Sequence, residues 1–331
     1  MSTTSSNHIV CVGAVYIDTI LTVPHFPTED EKLRAKSIKR RRGGNTANSL
    51  QVLEQLLEHD PCSPQNFPSS TMLHLLAVLP DEGSEAAKFI CDSLPSVDVA
   101  AFSIFREGLH DAASSYILQS QESVSRTIVS INELPEMALH EFNSQIYQLN
   151  EKFGGKGRIW FHFEGRVPEL ILQCVLFLKK TYPGFRISVE CEKPERVGMA
   201  EVARLADVVF YSRLWAEKNG VGDARRFLEA QRASTRDGAL LCCTWGAGGA
   251  TAVKKGVEEV WAHVKAWKPL LDTGQQVVDT IGAGDTFIAG MLFSLNNHDD
   301  WALQQKLEFS NRLAGRKVLQ EGFGGLGQKM W

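Results

Sequence analysis

Residues 159–190 read IWFHFEGRVPELILQCVLFLKKTYPGFRISVE. The run Ile159 to Phe163 is short and apolar on both sides of a β pleat, and the run Arg186 to Glu190 repeats this pattern. Such runs are typical of strands that are buried on both faces in a parallel sheet. The stretch Pro168 to Lys180 between them has the length and composition of a helix. The order strand, helix, strand predicts a parallel crossover unit.

The same alternation continues on both sides of this unit. Two more strand-like runs are Asp207 to Tyr211 and Ala239 to Cys243, and the helix-like stretch Gly222 to Ala233 separates them. Near the N-terminus, His8 to Ala14 is a further apolar, β-rich run. Repeated alternation predicts a doubly wound α/β fold with a mostly parallel sheet. Ligands of such sheets bind beyond the carboxyl ends of the strands, so the residues there are the candidate functional residues.

Two segments do not follow the alternation. Residues 14–42 contain Pro24 and Pro27 with alternating polar and apolar positions, which favours short exposed strands. Residues 112–131 have the pattern of a hairpin, and together the two segments predict a small second sheet. From Asn45 to Glu58 the apolar residues recur at helical spacing. Residues 60–70 contain three prolines and predict a surface loop, which has the character of an insertion between two predicted elements.

Composition narrows the functional classes. The 331 residues are 44% hydrophobic, with 35 basic and 39 acidic side chains and a formal net charge of -4. This balance gives no charge signature for nucleic acid or an anionic membrane, and the polar start Met1 to Asn7 is unlike a signal peptide. The seven cysteines form no CxxC pair. We therefore expect a cytoplasmic protein. The basic run at 39–42 is expected to be mainly solvated, with a localisation signal as the alternative.

The strongest chemical motif is Val277-Val278-Asp279-Thr280-Ile281-Gly282-Ala283-Gly284-Asp285-Thr286-Phe287. A strand-like start leads into three small residues and then a helical pattern. Small residues let the backbone approach a ligand, and the free N–H groups of a helix start favour an anion. The positive helix end is expected to keep the Asp285 carboxylate ionised, so that it can take a proton from an attacking hydroxyl. The alternative is that Asp285 only caps the helix.

A second motif is Arg42-Gly43-Gly44-Asn45-Thr46-Ala47-Asn48. Asn45 and Asn48 project from one face of a helix start, and paired amides suit vicinal hydroxyls because each can donate and accept. Capping by Asn45 alone is the alternative. Asp18, after the first strand, is a candidate for another hydroxyl or a solvated loop residue.

Three further sites follow predicted strands. Arg166 can reach the same crevice or pair with Glu164 at the surface. Glu190 and Glu192 lie two residues apart and could organise Mg²⁺ through water, or form a salt bridge with Lys193. The glycine-rich run at 245–249 suits a nucleotide that passes close to the backbone, or a flexible turn.

The order of these motifs is more specific than any one of them. A strand followed by Asp18, Gly-Gly-Asn-x-x-Asn at 43–48 and Asp-Thr-x-Gly-Ala-Gly-Asp-Thr-Phe at 279–287 resemble the PfkB or ribokinase-like carbohydrate kinase family. The ketohexokinase branch is the most similar. The segments that carry this closer match are Arg126 to Val129, His162 to Arg166, Val189 to Pro194, Asp207 to Phe210, Ala314 to Lys317, and Gly322 with Phe323.

The resemblance implies a ribokinase-like three-layer α/β/α sandwich in one domain over 1–331, with a small β-sheet lid from about 14–42 and 112–131. It implies that Asp285 is the general base and that Gly282, Ala283 and Gly284 form an anion hole. The residues that it implies for the sugar are Asp18, Gly44, Asn45, Asn48, Arg126, Arg166 and, reaching a neighbouring subunit, Asp30. Those that it implies for the nucleotide are Gly246, Gly249, Phe287, Asn311 and Ala314.

ATP with Mg²⁺ is implied as the cofactor, with K⁺ as a possible activator and a homodimer formed through the lid. Many ribokinase-like enzymes carry Asn-x-x-Glu for magnesium and phosphate, whereas this chain has Ser212-Arg213-Leu214-Trp215 at the corresponding place. The ketohexokinase branch also lacks the glutamate, so this difference agrees with the closer resemblance. The expected reaction is phosphoryl transfer from ATP to a ketohexose such as fructose, forming the 1-phosphate. The alternatives are ribose, another furanose, a nucleoside or a keto-acid sugar, or a catalytically silent sugar-binding paralogue.

Overall fold

The computed structural model describes residues 6–62, 71–123, 125–153, 157–269 and 277–331. Its strands, in chain order, are β1 (Asn7–Val12), β2 (Tyr16–Val23), β3 (Ser37–Gly43), β4 (Thr71–Leu76), β5 (Val78–Pro80), β6 (Val97–Asp98), β7 (Ile104–Arg106), β8 (Ser114–Ser120), β9 (Arg126–Ile131), β10 (Ile159–Phe163), β11 (Arg186–Cys191), β12 (Val208–Tyr211), β13 (Leu240–Thr244), β14 (Ala250–Lys254) and β15 (Val260–Val264). Most of them belong to one large sheet.

That sheet has nine strands in the order β15-β14-β13-β12-β11-β10-β1-β4-β6. The pairs from β13 through β6 are parallel, and β14 and β15 close one edge antiparallel. The strands predicted at 159, 186, 207 and 239 are all present and lie side by side. The expectation of a mostly parallel central sheet is confirmed.

The helices are α1 (Asn45–His59), α2 (Glu85–Asp92), α3 (Leu139–Phe153), α4 (Pro168–Thr181), α5 (Met199–Leu205), α6 (Arg213–Lys218), α7 (Ala224–Gln231), α8 (Ala283–Asn297) and α9 (Leu303–Lys317). One apolar cluster packs α1, α8 and α9 against one face of the sheet, with Leu50, Phe293 and Leu313 fully buried. A second cluster packs α3, α4, α5 and α7 against the other face. Apolar residues on both faces of short strands therefore give the three-layer arrangement expected from the sequence.

A second sheet has four strands in the order β3-β2-β8-β9. Strands β8 and β9 form the predicted antiparallel hairpin, and β2 pairs parallel with β8. One cross-strand row contains Asp18, Ser115 and Ser130. Because side chains alternate between the faces of a strand, every second residue from these shares their face.

The strand-like start expected at Val277 is wrong. Val277 and Val278 are 63% and 62% exposed, and the segment before α8 is not a strand. The backbone N–H groups of Val278 and Asp279 both donate to the Val318 carbonyl at 2.8 and 3.2 Å. One shared carbonyl holds this segment in place of a neighbouring strand, so the apolar run did not indicate burial.

The loop predicted at 60–70 is only partly covered, since residues 63–70 lie outside the described residues. Asp60, at its start, is 8% exposed, and its carboxylate lies 3.4 Å from His298 Nε2. The start of this segment is therefore anchored in the molecule. Within the described ranges, no helix combines the length and apolar character needed to cross a lipid bilayer.

Candidate active site

The carboxyl ends of the central strands and the start of α8 enclose one cavity. The residues that line it include Asn45, Glu190, Glu192, Gly284 and Asp285, together with Phe210, Tyr211, Ser212, Cys242, Thr244, Phe287 and Ile288. Sequence-predicted residues from three separate motifs thus meet at the edge of the sheet where α/β folds bind ligands.

Asp285 lies in the first turn of α8 and is 8% exposed. Asn48 Nδ2 donates to its Oδ2 at 2.8 Å, and Ser49 Oγ donates to its backbone carbonyl at 2.9 Å. Gly282 precedes the helix with φ of 74°, a left-handed conformation that favours glycine. The predicted tight turn into a helix is therefore present, and α1 fixes both the side chain and the backbone of Asp285.

The protonation of Asp285 differs from the sequence-based expectation. Burial, together with the charge of Glu190, raises the pKa of the Asp285 carboxyl well above its ordinary value, although the hydrogen bond from Asn48 opposes this shift. The expectation that the helix end alone keeps the carboxylate ionised is wrong for the site without ligands. Desolvation and neighbouring carboxylates outweigh the helix dipole, whose contribution is about 1 kcal/mol or less at most sites.

The two predicted asparagines have different partners. Asn45 Nδ2 donates to Glu190 Oε2 at 3.2 Å and to Glu192 Oε2 at 3.0 Å. Asn48 accepts a hydrogen bond from Arg42 through Oδ1 at 2.8 Å while it donates to Asp285. The amides do not form a matched pair, because Asn45 faces the cavity carboxylates whereas Asn48 holds the candidate base.

Two buried carboxyls at the carboxyl ends of β10 and β11 have raised pKa values. Glu190 contacts His162 Nε2 at 3.0 Å, and burial followed by the charge of Glu192 raises its pKa to about 8. Glu164 accepts from the Ala14 backbone N–H at 2.9 Å, and burial followed by the charge of Glu190 raises its pKa to about 7. Sequence reasoning treated Glu164 only as a partner for Arg166. Its position directly after β10 was the signal that could have identified it.

Asp18 lies on β2 beside the basic strand β3. Its Oδ2 is 3.5 Å from Arg41 Nε, and Arg41 Nη1 lies 3.9 Å from Asp279 Oδ2. Burial raises the pKa of Asp18, although the charge of Arg41 opposes this shift. Arg41 therefore lies between a candidate sugar-binding residue and the turn before α8. Gly44, the remaining predicted sugar-side residue of this region, precedes α1 as its N-cap.

The expectation that the basic run at 39–42 is mainly solvated is wrong for its second half. Arg42 is 6% exposed and donates to Asn48 and to Gln51. Arg40 lies over the Phe89 ring, and only Lys39 makes an exposed ion pair, with Glu321. Alternation along β3 places these cations against different parts of the molecule.

Arg166 borders a second, more apolar cavity, which Glu164 also lines. Its guanidinium lies 5.3 Å from the centre of the Tyr16 ring, and its Nε is 3.6 Å from Glu136 Oε1. The alternative of a surface ion pair with the Glu164 side chain is not observed among the described contacts. Arg166 instead joins the loop that carries Glu136 to the start of β2.

Arg126 and Asp30 do not line either cavity within one chain. Arg126 pairs with Gln119 across the hairpin, four residues along β9 from Ser130, which is about 13 Å at 3.3 Å per residue. It shares the sheet face of Asp18. Asp30 is exposed in the connection between β2 and β3 and has a positive φ of 63°.

The predicted nucleotide residues lie in the turn after β13, on α8 and on α9. Gly249 has φ of 92°, and a Cβ there would lie 1.9 Å from the Val264 carbonyl oxygen, so the backbone approach requires glycine. Asn311 Nδ2 donates to the Lys265 carbonyl at 2.8 Å. Phe287 lines the cavity with Asp285, and Ala314 packs partly buried against the core. Gly246 begins the short 3-10 turn at 246–248 and has open space around it.

A divalent cation fits this site through water. Within the described part of the chain, no group of three or more His, Cys, Asp or Glu side chains is arranged to hold a metal ion directly. Glu190, Glu192 and Asp285 nevertheless surround one cavity, and the repulsion between carboxylates is part of what raises two of their pKa values. Mg²⁺ keeps several of its water ligands in proteins, so these carboxylates can bind it through those waters.

Comparison with known proteins gives a consistent result. The model of the pfkB family carbohydrate kinases matches residues 199–326. Ketohexokinase from Mus musculus is 30% identical over 325 residues, which cover 96% of this chain and 98% of that protein. A putative sugar kinase from Clostridium perfringens has a TM-score of 0.72 at 12% identity, with 98% of this chain and 96% of that chain covered.

The structure of ribokinase from Arabidopsis thaliana complexed with ribose and ATP has a TM-score of 0.69 at 15% identity, with 96% of this chain and 94% of that chain covered. At such low identity the two structural matches show the fold, and the expected ribokinase-like architecture is confirmed. The sequence match to the mouse protein spans nearly the whole of both chains. The chain therefore belongs to the pfkB family of carbohydrate kinases.

Proposed function

We propose that this sugar kinase transfers the γ-phosphoryl group of ATP to a hydroxyl of a ketohexose, with fructose as the first choice and the 1-phosphate as product. The observation that carries the proposal is the cavity in which Asp285 and Gly284 face Asn45. Phosphoryl transfer needs a carboxyl group, backbone N–H donors and polar side chains that bind the acceptor, since its catalysis is mostly positioning and charge stabilisation. The full-length similarity to ketohexokinase supports the choice of ketohexose.

In this reaction the acceptor hydroxyl oxygen forms a bond to the γ-phosphorus while the bond to the bridging oxygen of ADP breaks. Asp285 takes the hydroxyl proton. The N–H groups at the start of α8, in the turn of Gly282, Ala283 and Gly284, face the negative charge that develops on the phosphoryl oxygens. The raised pKa lowers the ionised fraction of Asp285 in the site without ligands, and positive charge brought by the ligands would lower that pKa and favour the ionised base.

The acceptor is proposed to contact Asp18, Gly44, Asn45 and Arg166. Glu164, buried beside Ala14 at the end of β10, is added to this set. The Asn48 side chain is proposed to act mainly on Asp285, because both ends of its amide are occupied.

ATP is proposed to lie along Gly246, Gly249, Phe287, Asn311 and Ala314. Magnesium, when bound with ATP, neutralises the phosphate charge, and Glu190 and Glu192 would hold it through water. Activation by K⁺ is also proposed.

The small sheet is proposed to act as a lid and as a homodimer contact. The sheet face opposite Asp18 carries Ile38, Tyr116, Val129 and Ile131, which are 67%, 52%, 64% and 51% exposed. An apolar face of this kind is typical of an interface between subunits. In such a dimer Asp30 and Arg126 would approach the active site of either subunit.

The decisive experiment is sugar-dependent ADP formation by wild-type protein and Asp285→Asn over a panel of ketohexoses, ribose, nucleosides and keto-acid sugars. We expect the variant to lose about 10³-fold or more in kcat, while its affinity for ADP stays within about twofold of wild type, because the amide keeps the shape but cannot take the proton. Turnover by the variant at the wild-type rate would refute the mechanism. A nucleoside or keto-acid as the best acceptor would refute the ketohexose assignment alone.

A further inference from the structure

The basic strand β3 contains a buried arginine that the proposed chemistry does not use directly. Arg42 Nη1 donates to Asn48 Oδ1 at 2.8 Å, and its Nη2 donates to Gln51 Oε1 at 2.5 Å. Asn48 and Gln51 are three residues apart and therefore lie on the same face of α1. The planar guanidinium thus donates to two side chains on one face of α1, the helix that contacts Asp285.

The hydrogen bonds of Asn48 allow one orientation of its amide. Its carbonyl oxygen faces Arg42, which can only donate, and its amide nitrogen faces the Asp285 carboxyl at 2.8 Å. A reversed amide would point N–H groups at the guanidinium, which cannot accept a hydrogen bond, and would remove the donor to Asp285 Oδ2. Arg42 therefore determines which group Asn48 presents to Asp285.

This arrangement distinguishes the two oxygens of Asp285. Oδ2 accepts from Asn48, whereas no hydrogen bond to Oδ1 is formed within the described part of the chain. Ser49 holds the backbone of the same residue. One carboxyl oxygen is thus fixed by α1 and the other is left for an incoming hydroxyl.

We propose that Arg42 is a positioning residue for Asp285, which acts through the Asn48 amide. The inference rests on the proposed phosphoryl transfer for its kinetic readout. Burial lowers the pKa of Arg42 to about 10, and the charge of Asp285 opposes this shift, so the guanidinium stays charged at neutral pH. A buried cation whose Nε has no hydrogen-bond partner among the described residues costs folding free energy. Its position beside the candidate base gives a functional reason for that cost.

The test uses Arg42→Met, which keeps a long apolar stem but removes the donors, and Arg42→Lys, which keeps the charge and one donor group. Lys39→Gln is the matched control, because Lys39 belongs to the same strand but pairs with Glu321 at the surface. We expect R42M to lower kcat by roughly 10- to 100-fold, since small misplacement of a catalytic group costs up to about 100-fold. R42K should fall between R42M and wild type. The KM for ATP and the affinity for ADP should stay within about twofold of wild type, and K39Q should match wild type.

A double-mutant cycle with Asn48→Ala separates positioning from a general loss of structure. Because the proposed effect runs through Asn48, R42M should lower kcat by less than about twofold in the N48A background. A loss of equal size in both backgrounds would overturn the inference, as would R42M with wild-type kcat. If R42M does not fold, wild-type kcat in R42K overturns it.

A second readout does not depend on turnover. The side-chain amide of Asn48, assigned by comparison with N48A, should give an ordered ¹⁵N signal in the wild-type protein and a mobile one in R42M. Equal order in both proteins would contradict the positioning role. Absence of sugar-dependent ADP formation in the wild-type protein would refute the proposed function instead, and the amide measurement would still test Arg42.

Discussion

Two glycines in the turn before α8 should respond oppositely to the addition of one methyl group. At Gly282 a Cβ would lie 2.3 and 2.6 Å from two ring carbons of Phe323, and φ is 74°. At Gly284 nothing lies within 4 Å of a Cβ, and the residue is already helical. Gly282→Ala should therefore destabilise the protein, whereas Gly284→Ala should not.

The magnitudes follow from the two environments. A left-handed conformation costs a non-glycine residue about 1–2 kcal/mol, and overpacking against the buried Phe323 ring adds about 1–3 kcal/mol. G282A should therefore lose about 2–5 kcal/mol of unfolding free energy. G284A should gain up to about 1 kcal/mol, because alanine is the better helix former. Urea unfolding followed by tryptophan fluorescence measures both changes.

For G284A, activity should fall although stability does not. Gly284 lines the cavity with Asp285, so the added methyl would occupy space that the phosphoryl group needs next to the backbone donors. We expect kcat/KM for ATP to fall by roughly 100-fold, the scale of loss when a reacting group is displaced by about 1 Å. A stable G284A enzyme with wild-type kcat/KM for ATP would refute the anion-hole role. The comparison is G282A at temperatures where it is folded, because its added methyl group would meet Phe323 and Gly282 does not line the cavity.

Two further predictions concern pH. Burial and neighbouring positive charge lower the pKa of His8 and of His74 to about 4. Below pH 6.5 the folded state therefore binds fewer protons than the unfolded state. As pH falls from about 6.5 to 4, each histidine should lower the free energy of unfolding by about 1.4 kcal/mol per pH unit. The free energy of unfolding of wild type minus that of His74→Asn, measured by urea unfolding at pH 7.5, 6 and 5, should fall at about this slope as pH falls; a constant difference would contradict the prediction. Without divalent cations, the raised pKa of Glu190, about 8, should make wild-type stability fall as pH rises from about 4.5 to 8 and level off above 8, whereas Glu190→Gln should lack this contribution. Equal pH dependence in both proteins would count against the buried, protonated state of Glu190.

The parts of the fold that could be predicted are those whose signal is local. The strand from Ile159 to Phe163 and the helix from Pro168 onward are present almost as predicted, because burial on both faces and helical periodicity are written in consecutive residues. The run Val277-Val278 has the same local composition, but among the described residues it pairs with no strand, and both residues are exposed. A short apolar run without a turn signal on each side does not reveal whether a partner exists.

The site was predictable as a set of residues but not as a network. Gly-Ala-Gly-Asp and Gly-Gly-Asn-x-x-Asn gave Asp285, Asn45 and Asn48 as candidates, since their order along the chain resembles that of a known family although each motif alone is also compatible with helix capping. That Asn48 binds Asp285, 237 residues away, depends on the packing of α1 against α8. The buried role of Arg42 had no signal in a run of four cations, because solvated and buried arginines look alike in sequence.

The carboxyl cluster explains why catalysis should wait for ligands. Burial raises the pKa values of Asp285, Glu190 and Glu164. The charge of Glu190 adds to the shifts of Asp285 and Glu164, and the charge of Glu192 adds to the shift of Glu190. Magnesium held near Glu190 would lower the pKa of Asp285 by replacing a proton with a larger positive charge. In the proposed reaction, metal brought by ATP would therefore increase the ionised fraction of Asp285. Such a site disfavours proton abstraction from a sugar bound alone, because the raised pKa reduces the ionised fraction of the base.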